Sequence, residues 1–300
     1  MGPNAAAQLW SPRSRRLVVG AVLLAAAAGV AIASVAGRTT DPAERLAQAR
    51  DLVFAGRPRA AMRQTLRALA DLGDDGNLAL REEALARAAQ IADFHLSDAH
   101  IPEALGYYQK LVRLSPRSPA AFDAGQRIAE ILHQRLHDNL HAEAQELAVV
   151  EGFPHQAGVE RLLVKAARLA LAGRRYEAAR SDAGRLLSAY PTSPFAPDAQ
   201  LVVGQAFQLE GRLHEATQAF DALSDRWPGT PIAARALYQA GNCLADEADY
   251  GHAIARYIEA LPDHPDPTEV QESLDRARRH FTALSEMKPG SHAYAFARNH

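Results

Sequence analysis

Three histidines, His133, His137 and His141, stand four residues apart. On one uninterrupted helix that interval would bring three imidazoles onto one face, a donor set suited to zinc. Aligned with its neighbours, however, this segment carries an interhelical turn near Asp138-Asn139, so the row is expected to break. No His-Glu-x-x-His accompanies it. His95 falls at an interior, aromatic-like position, where a packed imidazole is expected. The single cysteine, Cys243, has no partner for an internal disulfide and is expected as a small apolar residue packed in a helix. Glu82 and Glu83, like Asp74 and Asp75, are adjacent carboxylates, and adjacent positions do not face each other across a substrate. The sequence holds no glycine-rich phosphate loop, no Gly-x-Ser-x-Gly elbow and no Cys–His pair at zinc spacing. It reads as a chain that is not an enzyme, with no catalytic residue, cofactor or metal.

What the sequence does hold is a period. Pro191, Pro228 and Pro265 recur every 37 residues, and Ala179, Ala216 and Ala253 keep that interval. So do Tyr176, Leu213 and Tyr250, then Ala183, Phe220 and Tyr257, and Gly204 with Gly241. A small residue, an aromatic four later and a proline eight after that describe a helix hairpin that buries its apolar face against its own copy.

The first hairpin is expected at 42–54 and 58–72, with Asp41 as N-cap, Pro42 in the first turn, and breaks at Gly56 and Pro58. The second runs over about 78–116 and the third over about 118–154, where Glu146 stands in the place of an aromatic. The clearest copies are 156–191, 193–228 and 230–265, with turns at Gly173, Gly211 and Glu247-Ala248, each closing before its proline. A last helix over 266–287 places Val270, Leu274, Ala277 and Phe281 on one stripe and caps the final face. Residues 287–300 read as a flexible tail.

Composition agrees with this plan. Apolar residues make up 48% of the chain and aromatics 6%, so the core must rest on Ala and Leu and on close helix approach. A net charge of −2 argues against a nucleic-acid partner.

Residues 1–16 form a short basic segment ending in Arg13, Arg15 and Arg16, followed by the uncharged run 17–37. That run, as a helix, spans roughly 30 Å, the thickness of a bilayer core. It reads as a membrane anchor. The alternatives are an export signal cleaved after Ala36, at Ser34-Val35-Ala36, and a buried helix. Ser14-Arg15-Arg16-Leu17 also partly matches a twin-arginine signal. Near-side arginines crowd the span more closely than Arg38, Arg45 and Arg50 do on the far side, which places the N-terminus in the cytoplasm and the array outside it. The arginine counts on the two sides are equal, so a reversed anchor with a cytoplasmic array stays open.

Gly204, Phe207, Ala216, Phe220 and Pro228, at their intervals, make the chain similar to the tetratricopeptide repeat family over residues 41–286. AYPTSPFAPDAQLVVGQAF and RWPGTPIAARALYQAGNC resemble more narrowly the repeats of exported bacterial envelope proteins, of the kind found in a Tol–Pal cell-division coordinator and an outer-membrane assembly lipoprotein. The chain departs from the second in having no lipid-accepting cysteine near its start, and from the first in its anchor and in lacking a coiled-coil arm. The resemblance implies an all-α, right-handed superhelical solenoid of about six hairpins plus a capping helix, preceded by one transmembrane helix. It implies a concave groove, lined by the first helix of each hairpin, that takes a protein or peptide partner. By position the lining residues would be Arg161, Val164 and Arg168, then Asp198, Leu201 and Gln205, then Arg235, Tyr238 and Asn242. Members that clamp a terminal carboxylate carry Lys and Asn at matching positions, and Val164 and Leu201 supply no such charge. The implied role is a membrane-anchored, non-enzymatic scaffold in bacterial envelope assembly, secretion or cell division. The alternative is a soluble exported subunit that supports maturation of a periplasmic enzyme complex.

Overall fold

The computed structural model describes residues 41–286. They form thirteen α-helices and no strand among the described residues. The expected span 17–37 and the tail 287–300 lie outside them, and no described helix is long and apolar enough to cross a membrane.

The described residues divide into two compact units, one up to Leu114 and one from Ser115. The first contains α1 (Pro42–Phe54), α2 (Pro58–Leu72), α3 (Leu78–Gln90) and α4 (Ile101–Leu114). Asp41 caps α1 by accepting from the Ala43 amide, Asn77 caps α3 through the Leu80 amide, and Pro42 and Pro58 occupy first turns. A π turn, Ile91–His95, follows α3 and changes the helical phase. Ile91, Ala92 and Asp93 stay buried while Phe94 and His95 turn outward. The packed position expected for His95 is therefore corrected: the widened turn carries it past the interior face.

The second unit contains α5 (Pro119–Gln134), α6 (Asn139–Gly152), α7 (Val159–Ala172), α8 (Tyr176–Ala189), α9 (Ala196–Leu209), α10 (Leu213–Arg226), α11 (Pro231–Asp246), α12 (Tyr250–Ala260) and α13 (Pro267–Glu286). Each helix packs on the next, and the first helices of successive hairpins also meet, α7 on α9, α9 on α11 and α11 on α13. That approach is not repeated to the same extent between α5 and α7.

Small residues set the helix spacing. Ala142, Ala179, Ala216 and Ala253 recur at the period, all fully buried. A Cβ on Gly204 would lie 2.3 Å from the Phe220 ring, and one on Gly241 would lie 2.6 Å from Tyr257. Each ring thus sits directly on a glycine backbone, and this contact is what the 37-residue spacing of glycine and aromatic encodes.

The interhelical turns share a left-handed residue at the same period: His137, Arg174, Gly211 and Ala248 have φ of 54°, 58°, 81° and 60°. Only Gly211 avoids the steric cost. In the fourth copy the left-handed residue is Arg174, one past the expected Gly173, whose φ is −79°. In the sixth copy α12 stops at Ala260 and does not run on towards Pro265. Leu261 still has helical geometry, but Pro262 has no N–H to continue the ladder and its ring crowds the preceding turn, which ends the helix early. On α13, Val270, Leu274 and Ala277 are buried as expected, whereas Phe281 is half exposed near the end of the helix.

Candidate functional site

The histidine row is broken where the turn breaks it. His137 occupies the left-handed turn position, His133 Nδ1 lies 2.7 Å from Asn139 Oδ1, and His141 Nδ1 lies 2.7 Å from Asp138 Oδ2. Each outer imidazole is thus held by its own local partner. Among the described residues no group of His, Cys, Asp and Glu is placed to hold a metal ion. Cys243 is fully buried, and burial pushes its thiol up to about 12, far from the thiolate a nucleophile needs.

The face carried by the first helices of the second unit holds the nine groove candidates, in triplets spanning two helical turns. α7 presents Arg161 and Arg168 to solvent, α9 presents Asp198 and Gln205 as half-buried groups, and α11 presents exposed Arg235 and half-buried Asn242. The middle member of each triplet points inward: Val164, Leu201 and Tyr238 are 3%, 4% and 8% exposed. The residue three after the first member of each triplet thus turns towards the seam between neighbouring first helices, and of the three Tyr238 still borders a cavity, together with Gln208 and Asn242. Tyr238 packs beside Tyr257 and His264, with centroids 5.8 and 5.1 Å away, and its hydroxyl donates to Glu269 at 3.1 Å. Asn242 is likewise committed, accepting from the Tyr257 hydroxyl at 2.8 Å.

Polar groups link one first helix to the next. Arg161 donates to Gln126 on α5 at 3.3 Å, Arg168 pairs with Asp198 on α9, and Gln208 on α9 donates to Gln239 on α11 at 3.3 Å. These links are partly exposed, so their individual worth is small. Their effect is to fix long side chains in register along the face.

One part of this face differs in kind. Lys165 on α7 reaches back to α5 and down to α6, its ammonium 3.5 Å from Glu130 and 3.1 Å from Glu146. Glu146 is 1% exposed. Burial raises its carboxyl above the ordinary range against the opposing pull of Lys165. Nearby Glu143, paired with Arg175, and Asp182, beside Arg185, are also buried acids that burial pushes up. Glu146 drew notice in the sequence by standing at an aromatic position, but the role of Lys165 did not. The available signal was that Lys165 is one of three lysines in a chain whose basic residues are otherwise arginine.

A scan of protein-family models matches none, and a search of the curated proteins finds no match. Among solved structures, the C-terminal part of a TPR repeat-containing protein from Cytophaga hutchinsonii is similar, with a TM-score of 0.58 at 13% identity over 85% of this chain and 98% of that one. The apo form of RapI gives 0.52 at 11% identity over 81% and 72%. A tetratricopeptide repeat protein from Parabacteroides merdae gives 0.48 at 15% identity over 86% and 97%. At these identities the first two establish the fold alone: the chain is built as an array of tetratricopeptide-type helix hairpins.

Proposed function

We propose that the chain is a non-enzymatic scaffold whose array binds a protein partner along the first helices of the second unit. The observation that carries this reading is that face itself: Arg161 and Arg168 project from α7 and Arg235 from α11, with Asp198 and Gln205 of α9 between them, over a tightly packed alanine core. Rigid presentation of exposed, hydrogen-bonding side chains at a regular interval suits an extended polypeptide, whose backbone and side chains also recur at intervals. Arginine is the side chain best fitted to bidentate contact with carboxylates or backbone carbonyls of such a partner. Replacing the three arginines together by alanine in the full-length protein should leave the melting temperature within a few degrees and abolish co-purification of cross-linked partners. Undiminished capture would refute the face as the binding surface.

The location proposed is the bacterial inner membrane, with residues 17–37 as a single-pass anchor and the array in the periplasm, serving envelope assembly, secretion or division. The support is the uncharged run of residues and its flanking arginines. Protease treatment of spheroplasts should digest the array; protection would refute this topology and favour the reversed anchor. Ser34-Val35-Ala36 favours a second reading, a soluble exported subunit that helps mature a periplasmic enzyme complex. Gly37 as the first residue on N-terminal sequencing would establish it.

A further inference from the structure

Between α5 and α7 lies a cavity of about 290 Å³, lined by Ala129, Glu130, His133, Glu146, Leu169 and Ala172 among others. Its place in the repeat explains why it exists. Counting by 37, Glu130 is the counterpart of Gly204 and Gly241, and Glu146 is the counterpart of Phe220 and Tyr257. Copies five and six fill this place with an aromatic ring laid on glycine. In copy four both positions are alanine, Ala167 and Ala183, fully buried between helices that close on one another. Copy three has two carboxylates and a lysine there, which neither supply a ring nor let α5 and α7 close.

The floor of the cavity has an unmet need. Glu146 Oε1 accepts from Lys165 at 3.1 Å, while its buried Oε2 has no hydrogen-bond partner. A buried acceptor left without a donor costs roughly 1–3 kcal/mol, which a donor entering from outside would offset. A second cation is a poor fit, because Lys165 is already shared by the two carboxylates, Arg127 donates to Glu130 at 2.8 Å, and Arg161 also acts on Glu146. A neutral donor brings no charge to desolvate. Ala129, Leu169 and Ala172 suit an apolar body behind that donor, and the half-exposed Arg168 guanidinium, which also lines the cavity, can lie over a ring face. The volume is below the ~300–1,000 Å³ typical of whole-ligand sites and suits a single side chain.

We propose that this cavity receives a tyrosine side chain of the partner segment, with the ring replacing the one missing from the third repeat and the phenol donating to Glu146 Oε2. The proposal rests on the scaffold reading above and specifies what the partner must carry. It is tested with full-length protein in nanodiscs, titrated with acetyl-Gly-Gly-Tyr-Gly-Gly-amide, its phenylalanine counterpart and p-cresol, and read by saturation-transfer NMR. The tyrosine peptide should bind about tenfold more tightly than the phenylalanine peptide, the worth of one hydrogen bond to a charged group. Glu146→Met, which keeps length and removes the acceptor, should bring that ratio to about one. Ala172→Trp, at an exposed position on the cavity rim, should weaken both peptides and leaves the buried cluster intact if Glu146→Met does not fold. Equal affinities for wild type, a ratio that survives Glu146→Met, or binding of p-cresol without either peptide would each overturn the proposal. Partner capture through the arginine face with no tyrosine preference would overturn this inference alone. A tyrosine preference with no captured partner would overturn the scaffold reading and leave the pocket chemistry standing.

Discussion

The third and sixth repeats solve the same packing problem in opposite ways. In the sixth, Tyr257 lies on Gly241 and its hydroxyl reaches Asn242, so both the apolar body and the polar tip are satisfied within the chain. In the third, the matching pair is Glu130 and Glu146, bridged by Lys165, and one buried carboxylate oxygen is left over. A ring on glycine converts sequence period into helix spacing, whereas a buried ion pair holds helices apart and tends to break even against its desolvation cost. Within the second unit α7 meets α9 and α9 meets α11 closely, whereas α5 and α7 approach each other less, at the repeat where charge replaces aromatic packing.

The sharpest way to break this comparison is to remove a ring. Phe220→Ala, at a fully buried site on Gly204, should cost about 3–5 kcal/mol in chemical denaturation, because the helices cannot collapse into the space at once. A loss below ~1 kcal/mol would mean that alanine packing alone sets the spacing of the later repeats.

Tyr238→Ala comes next, at about 3 kcal/mol, combining the lost ring contacts with the loss of a hydrogen-bond partner for the buried Ser273 hydroxyl. The sequence alone suggests the opposite outcome, lost binding without lost stability, since Tyr238 reads there as a groove residue. The difference shows what was legible. Period, hairpin count and most boundaries follow from local signals: α1 and α2 begin and end on the expected residues because Asp41, Pro42, Gly56 and Pro58 act within a turn of themselves. The rotation of each first helix about its axis is set by its neighbours, and the period is blind to it. Arg161, Arg168 and Arg235 could be placed outward from their charge, but Val164, Leu201 and Tyr238 could be assigned only once the seams between α7, α9 and α11 were known. Likewise Lys165 is an ordinary surface lysine in sequence, and becomes the bridge between two carboxylates only when α5, α6 and α7 are brought together.

The acidic side of the comparison is sharpened by pH. Burial raises the Glu146 carboxyl above its ordinary value of 4.5, so the folded state binds its proton more tightly than the unfolded state does. The stability this supplies is complete below pH 4.5 and is lost as the pH rises through the folded-state value. Glu143 and Asp182, raised for the same reason, add slopes of the same sign. Glu146→Gln removes one of these titrations, so the variant should gain on the wild type as urea midpoints are followed upward from pH 4.5. A difference that shrinks over that range would show Lys165 outweighing burial.

The smallest expected effect concerns the turns, where the repeats differ by a single Cβ. Gly211 meets a left-handed requirement that His137, Arg174 and Ala248 meet at a steric cost of roughly 1–2 kcal/mol. Glycine at such a site relieves that cost but adds freedom to the unfolded chain, leaving a net gain of about 0.5–1 kcal/mol. Ala248→Gly should therefore raise the denaturation midpoint, and Gly211→Ala should lower it by a similar amount. Because both changes lie at the same point of equivalent hairpins, opposite signs would show that repeats five and six share one turn geometry despite their different residues. Equal signs would mean that the backbone of one of them departs from the 37-residue plan when its side chain is exchanged.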